Sequence, residues 1–353
     1  MRKWGQGKSK IVPTRKKFEI VVMGMKTQSS ELSLFLIQHS NVSNPTRPPS
    51  VSRTRVGSCS CYTWRVRRLI VNADDFGFTS GVNRAIIEAH TQGVVTSSTL
   101  MATGRAFQEA VFLAKAAPKL SIGCHVVLID GEPVTDPQRI SSLTRSREFR
   151  EGLKSFAVRA LTGRLAVNEI TSEVVAQIQK LQSAGISVSH VDTHKHTHLF
   201  PQILRPLLRA ARECGVRAVR NPFGPRLPLR SSQLIAKPNM WSRYTELRIL
   251  GRFASKFREA VVHEGFVAPG GTLGIEVTGS LDERLFEAIA ASMPDGTWEL
   301  VCHPGYNDAD LKAARTRLRE SREIELRVLT LPSARNLLSR HGIQLISYRE
   351  LAG

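Results

Sequence analysis

From residue 69 onward the chain repeats one pattern, a short apolar run followed by a helix-length amphipathic segment, and this alternation restricts the fold more than any other feature. Apolar runs occupy residues 69–71, 94–101, 120–128, 187–192, 216–220, 273–277, 298–302 and 344–347. Helical patterns fill most of the intervals, at 107–116, 170–184, 202–214, 282–293 and 333–341, and Val82, Ile86 and Ala89 share one helical face after the first run. Continuous apolar runs of this length suit strands buried on both faces, and strands joined through helices run parallel. The expected fold is therefore α/β, a TIM-like barrel of seven or eight parallel strands. Segments 130–167 and 221–266 break the alternation. They are expected to be βα-loop insertions, partly helical, lying over one face of the barrel.

The alternation does not reach the N-terminus. Residues 1–66 hold 12 Lys/Arg against 2 Asp/Glu, a net +10, which is half of the chain's +20. This segment has basic clusters, a Ser/Asn/Pro/Arg stretch and no sustained apolar period. It is expected to be a basic extension, either disordered or created by a start codon assigned too far upstream, ahead of a catalytic domain at 67–353. A tail for nucleic acid or membranes would also be basic, but these cations are not interleaved with aromatics. The five cysteines, Cys59, Cys61, Cys124, Cys214 and Cys302, are too scattered for a disulfide framework. Cys59 and Cys61 lack a second pair to complete a zinc site. No run approaches the ~18 apolar residues of a spanning helix, and the apolar run 32–37 makes a poor signal sequence. A cytoplasmic location is expected.

Polar clusters at the ends of the apolar runs carry the chemistry, because parallel α/β folds build their sites at the carboxyl ends of strands. Asp74-Asp75 follows the first run; one carboxylate could hold a metal while the other stays free as a base, or Asp75 could cap the next helix. His125 lies inside an apolar run, as a metal ligand or as a hydrogen-bonded core histidine. The run His190-Val191-Asp192-Thr193-His194-Lys195-His196-Thr197-His198 puts His190, Asp192 and His194 on one side of a strand, with Asp192 able to fix an imidazole tautomer. A surface tract that binds metal loosely is the alternative. His303 closes the run 298–302 ahead of Pro304-Gly305, as a general acid or as packing under a loop, and Arg220 could orient Asp74. One Asp and two His form a set with open positions for water and substrate. An ion held there would polarise a carbonyl and acidify a water, a free carboxylate would take the proton, and a histidine would protonate a leaving amine. That inventory suits amide hydrolysis and other metal-assisted hydrolyses.

Four ordered motifs resemble the YdjC-like carbohydrate deacetylases: Asn72-Ala73-Asp74-Asp75-Phe76-Gly77, Gly123-x-His125-x-x-Leu128, the run from Asp192 to His198 with Pro201 after it, and Cys302-His303-Pro304. The resemblance covers about residues 67–349. Within the family, which includes chitooligosaccharide deacetylases, residues 126–134, His194-Lys195-His196 and Ala268-Pro269-Gly270-Gly271 look most similar to the hopanoid biosynthesis-associated branch. The resemblance implies one divalent metal, Mg²⁺ first and Zn²⁺ or another transition metal second. It implies ligation by Asp75, His125 and His194, with Asp74 as general base and His303 as general acid. It also implies removal of acetyl from an N-acetylglucosaminyl group, in that branch on a hopanoid lipid. The partners expected are thus an acetylated amino sugar, lipid-linked in that branch, a transient contact with the inner membrane face, and a second copy of the chain. Two other readings compete. A metal phosphoesterase would need more carboxylates for a two-metal centre, and a nucleic-acid-binding protein has only the charge in its favour.

Overall fold

The structure, a computed structural model, describes residues 66–225, 251–275 and 278–353. The expected extension lies outside these residues apart from Val66, as does much of the second insertion.

Among the described residues seven strands form one sheet, and every ladder in it is parallel. They are β1 (Arg67–Phe76), β2 (Ser97–Leu100), β3 (Ser121–Val126), β6 (Val191–Thr193), β7 (Thr272–Leu273), β8 (Gly296–Cys302) and β9 (Ile343–Leu345), in the order β6-β3-β2-β1-β8-β7. β1 is central. β8 runs beside it from Arg67 to Ala73, while its other side takes β9 at Arg67–Leu69 and β2 at Asn72–Phe76. Eight consecutive residues of β1 are buried, the two-sided burial that its uninterrupted apolar run demands. The result is a curled parallel sheet with the outline of a half-barrel. The expected strand at 216–220 is reduced to single parallel bridges, Val191 with Val219 and Ala218 with Val267.

Helices cover the outside of the sheet, and four expected helices land within three residues at each end: Val167–Ser183, Pro201–Glu213, Glu283–Ser292 and Pro332–Arg340. Phe107–Ala116 matches at both ends. The helix Ser80–Thr91 is capped by Thr79, whose Oγ1 accepts from Val82 N at 3.3 Å, so Asp75 is not its cap. The insertion 130–167 is partly helical as expected, with a hairpin of β4 (Thr144–Arg145) and β5 (Glu148–Phe149) ahead of the helix Leu153–Leu161. Two polar residues buried in the helix Val167–Ser183 hold its start. Gln177 brackets the backbone of Val127, and Glu173 accepts from Val134 N and Thr135 N, both at 2.9 Å. The helix Glu320–Thr330 was not foreseen; its sequence alternates charge and leaves no long apolar stripe.

Candidate active site

The end of β1 holds the two carboxylates apart. Asp75 has φ 68, a left-handed conformation that an Asp side chain tolerates better than most, and the β1–β2 register slips between Ala73 and Phe76. The kink gives the neighbouring carboxylates different partners. Asp74 accepts both terminal nitrogens of Arg220, at 2.8 and 2.6 Å, and further bonds from Asn72 at 2.9 Å and Thr99 at 3.2 Å. Burial pushes its carboxyl up, but the charge and bonds of Arg220, with His125 and His303 nearby, hold it well below the usual range. Asp75 Oδ2 accepts from Arg322 Nη2 at 2.5 Å. Its Oδ1 is buried without a hydrogen bond among the described residues.

That oxygen faces two imidazoles. Asp75 Oδ1 lies 3.4 Å from His125 Nε2 and 3.4 Å from His194 Nδ1, and the two nitrogens are 3.3 Å apart. A tetrahedral ion with bonds of about 2.1 Å sets its ligand atoms roughly 3.4 Å apart, so the three donors fit one small divalent cation. The other side of His125 supports this. Its Nδ1 meets Asp192 Oδ1 at 2.8 Å, and a proton held there leaves the Nε2 lone pair turned toward Asp75 and His194. Burial alone would lower the basicity of His125, but Asp192 and Asp74 raise it to about 10, so the centre attracts positive charge. Asp74, His125 and Asp192 also bring three donor atoms together. Arg220 already binds both of those carboxylates, however, and its cation opposes a second one. His194 is the most open member, with 24% of its side chain exposed.

Beneath these residues, fully buried Arg220 bonds Asp74, Asp192 and Glu299. Glu299 Oε2 in turn accepts from Tyr348 Oη at 2.7 Å and Thr272 Oγ1 at 3.0 Å. One hydrogen-bonded network therefore runs from Tyr348, at the start of the helix Tyr348–Ala352, to His125, the orienting role expected of Arg220 extended to three carboxylates. His303 follows directly after β8, with Nε2 3.9 Å from Asp74 Oδ2. Burial pulls its imidazole down to about 4 against the pull of Asp74 and Asp75, so it is neutral near pH 7.

The expected residues Asp74, Asp75, His125, His194 and His303 thus come together, while the rest of the histidine run disperses. β6 stops at Thr193, so the period of two does not carry His190, Asp192 and His194 to one site. His190 is buried in the core, stacked on Tyr348 at 3.6 Å between ring centres. Lys195 and His196, at φ 55 and 53, turn the chain back, and His198 Nδ1 bonds Thr193 Oγ1 at 2.7 Å. Lys195 pairs with Asp130 of the insertion instead. Sequence reasoning missed Glu299, Arg322 and Glu325. Glu299 was legible as an ionisable residue inside the apolar stretch of β8, whereas Arg322 and Glu325 look like any solvated helix pair.

A family profile described as YdjC-like protein matches residues 68–340. Carbohydrate deacetylases of Brevibacillus brevis and Geobacillus stearothermophilus are 32% and 33% identical to the chain over 285 residues, covering 80% of this chain and 99% and 98% of the relatives. A carbohydrate deacetylase of Vibrio parahaemolyticus is 31% identical, over 80% of this chain and 96% of the relative. A crystal structure from Enterococcus faecalis V583, described as a cellobiose-phosphate cleavage protein, superposes with a TM-score of 0.64 at 25% identity, over 82% of this chain and 100% of that one.

Proposed function

The chain belongs to the YdjC-like protein family, and on that premise we infer that it is a carbohydrate deacetylase that hydrolyses the N-acetyl group of an N-acetylglucosaminyl substrate with one divalent metal ion. The observation that carries this reading is the triangle of Asp75 Oδ1, His125 Nε2 and His194 Nδ1 beside the Arg220-bound carboxylate of Asp74. Two imidazoles and a carboxylate suit Zn²⁺ or a related transition metal, and Mg²⁺, which favours oxygen donors, comes second on that ground. The curled sheet reads as a TIM-like barrel, because the bridges at Val219 and Val267 and the bond from Glu299 N to Gly271 O continue the pairing from β6 round to β8.

Asp75, His125 and His194 would hold the ion, which when bound polarises the amide carbonyl and acidifies a water. The chain's own groups do the rest. Asp74, kept ionised by Arg220, accepts the proton of the attacking water. His303 protonates the departing amine. Being neutral at rest, it must first gain a proton, and Asp74, 3.9 Å away, is the near source. Asp192 keeps the His125 ring in register throughout.

The lipid-linked substrate rests on the resemblance to the hopanoid branch and on the surface of the insertion. Leu153, Val158 and Leu161 are exposed apolar side chains on one helix, with exposed Lys154 and Arg164 in and after it. Such a face suits contact with an anionic membrane surface, and the described residues hold no helix long and apolar enough to cross one. A cytoplasmic enzyme working at the inner membrane face fits both features.

Acetate release from an N-acetylglucosaminyl-hopanoid and from chitobiose, with and without chelator, tests the reading. Metal-dependent acetate is expected, lost in Asp74→Asn and His194→Ala. Activity on chitobiose alone would remove the lipid and keep the chemistry. Phosphate from phosphate esters with no acetate from either sugar would replace the deacetylase with a phosphoesterase.

A further inference from the structure

We propose that Arg322 and Glu325, one turn of helix apart, are positioning residues that hold the metal-ligand carboxylate and the proton-donating histidine in a common frame. The proposal rests on the deacetylase reading and adds a role for the helix Glu320–Thr330, which lies outside the four motifs that mark the site.

On an ordinary solvated helix, Arg and Glu three residues apart would face water and each other. Here both are buried, at 1% and 2% exposure, and they reach different halves of the site. Arg322 Nη2 donates to Asp75 Oδ2 at 2.5 Å, which leaves Oδ1 of that carboxylate turned toward His125 and His194. A carboxylate secured at one oxygen can ligate through the other without rotating. The guanidinium is itself braced, with Nε donating to Leu318 O at 3.1 Å and Cζ lying 5.9 Å from the centre of the Phe78 ring.

Glu325 works on the backbone. Its Oε2 accepts from His303 N at 2.6 Å and its Oε1 from Gly279 N at 3.2 Å, so one carboxylate ties the end of β8 to a second loop. The same turn of helix grips the residues after His303. Gly305 N donates to Arg322 O at 3.3 Å, and Asn307 N donates to Glu323 Oε1 at 3.0 Å. A Cβ at Gly305 would lie 2.8 Å from Arg322 Cδ, so the turn after His303 sits directly on the arginine stem. Among the described residues His303 has no hydrogen-bond partner at Nδ1, so the backbone clamp takes over the work of aiming its ring.

The two roles separate in one experiment on the full chain: Zn²⁺ affinity by calorimetry, beside kcat and KM for acetate release. Arg322→Met should weaken Zn²⁺ binding about 10- to 100-fold, with Arg322→Lys recovering part of the loss. Glu325→Gln, with one acceptor for two N–H groups, should keep Zn²⁺ affinity and lower kcat about 10-fold with KM unchanged. If Arg322→Met does not fold, Arg322→Lys carries the comparison alone. Variants that match wild type in both readouts would overturn the clamp while wild-type acetate release leaves the deacetylase standing. Equal loss of Zn²⁺ affinity and kcat in both variants, as a merely loosened helix would give, would overturn the division of roles. A wild-type chain that binds no Zn²⁺ and releases no acetate would remove the functional reading and the clamp together.

Discussion

Arg220 shows what a single buried side chain holds together. It is the counter-charge of Asp74, Asp192 and Glu299, all within 2% of full burial. Removing one member of a buried ion cluster strands the others, at a cost of about 3–5 kcal/mol. Arg220→Met should lower the unfolding free energy by that amount in urea titrations, and a loss below about 1 kcal/mol would mean the carboxylates find other partners. Glu325 makes a prediction of the opposite electrostatic kind. Burial pushes its carboxyl up to about 7 from an ordinary 4.5, against the opposing pull of the His303 N–H and Arg322. A folded value above the unfolded one favours the protonated fold, so stability falls as pH rises through the interval between the two. Relative to Glu325→Gln, the wild type should lose roughly 3 kcal/mol of unfolding free energy from below pH 4.5 to above pH 7. Parallel stability curves for the two proteins would refute it.

At the scale of elements, the strand ends do the positioning. β1 delivers two adjacent carboxylates to different partners only because Asp75 turns left-handed at a register slip. β3 must carry His125 at one end while making room for His190 beside Gly123. A Cβ at Gly123 would lie 2.5–2.7 Å from three atoms of the His190 ring, which is itself stacked on Tyr348. Gly123→Ala should therefore cost about 1–3 kcal/mol of stability, the usual penalty for overpacking a rigid core, and a melting temperature equal to wild type would show that the stack can shift. The apolar runs made β1, β3 and β8 legible, since two-sided burial requires continuous hydrophobicity. The pairing segment near Val219 was overestimated, because an apolar run does not say how many of its residues find ladder partners.

At the scale of the whole molecule, the catalytic domain should be self-sufficient. β1 begins at Arg67 and the family match spans 68–340, so a chain starting at Val66 should melt and release acetate as the full chain does. A lower melting temperature or a slower rate would give residues 1–65 a role. Read alone, the succession of apolar runs and amphipathic segments pointed to the parallel α/β architecture, and the polar residues closing those runs marked the candidate site, because burial and strand direction are local consequences of residue order. Asp74, Asp75, His125, His194 and His303 could be named on that basis. The partners of those residues could not. Arg322 lies 247 positions from Asp75 and Glu299 lies 79 from Arg220. Nothing local distinguishes a charge that will be buried against a distant carboxylate from one that will face water. Only the folding of the sheet and its helices brings such charges together, and decides which histidines face the Asp75 carboxylate and which stack in the core.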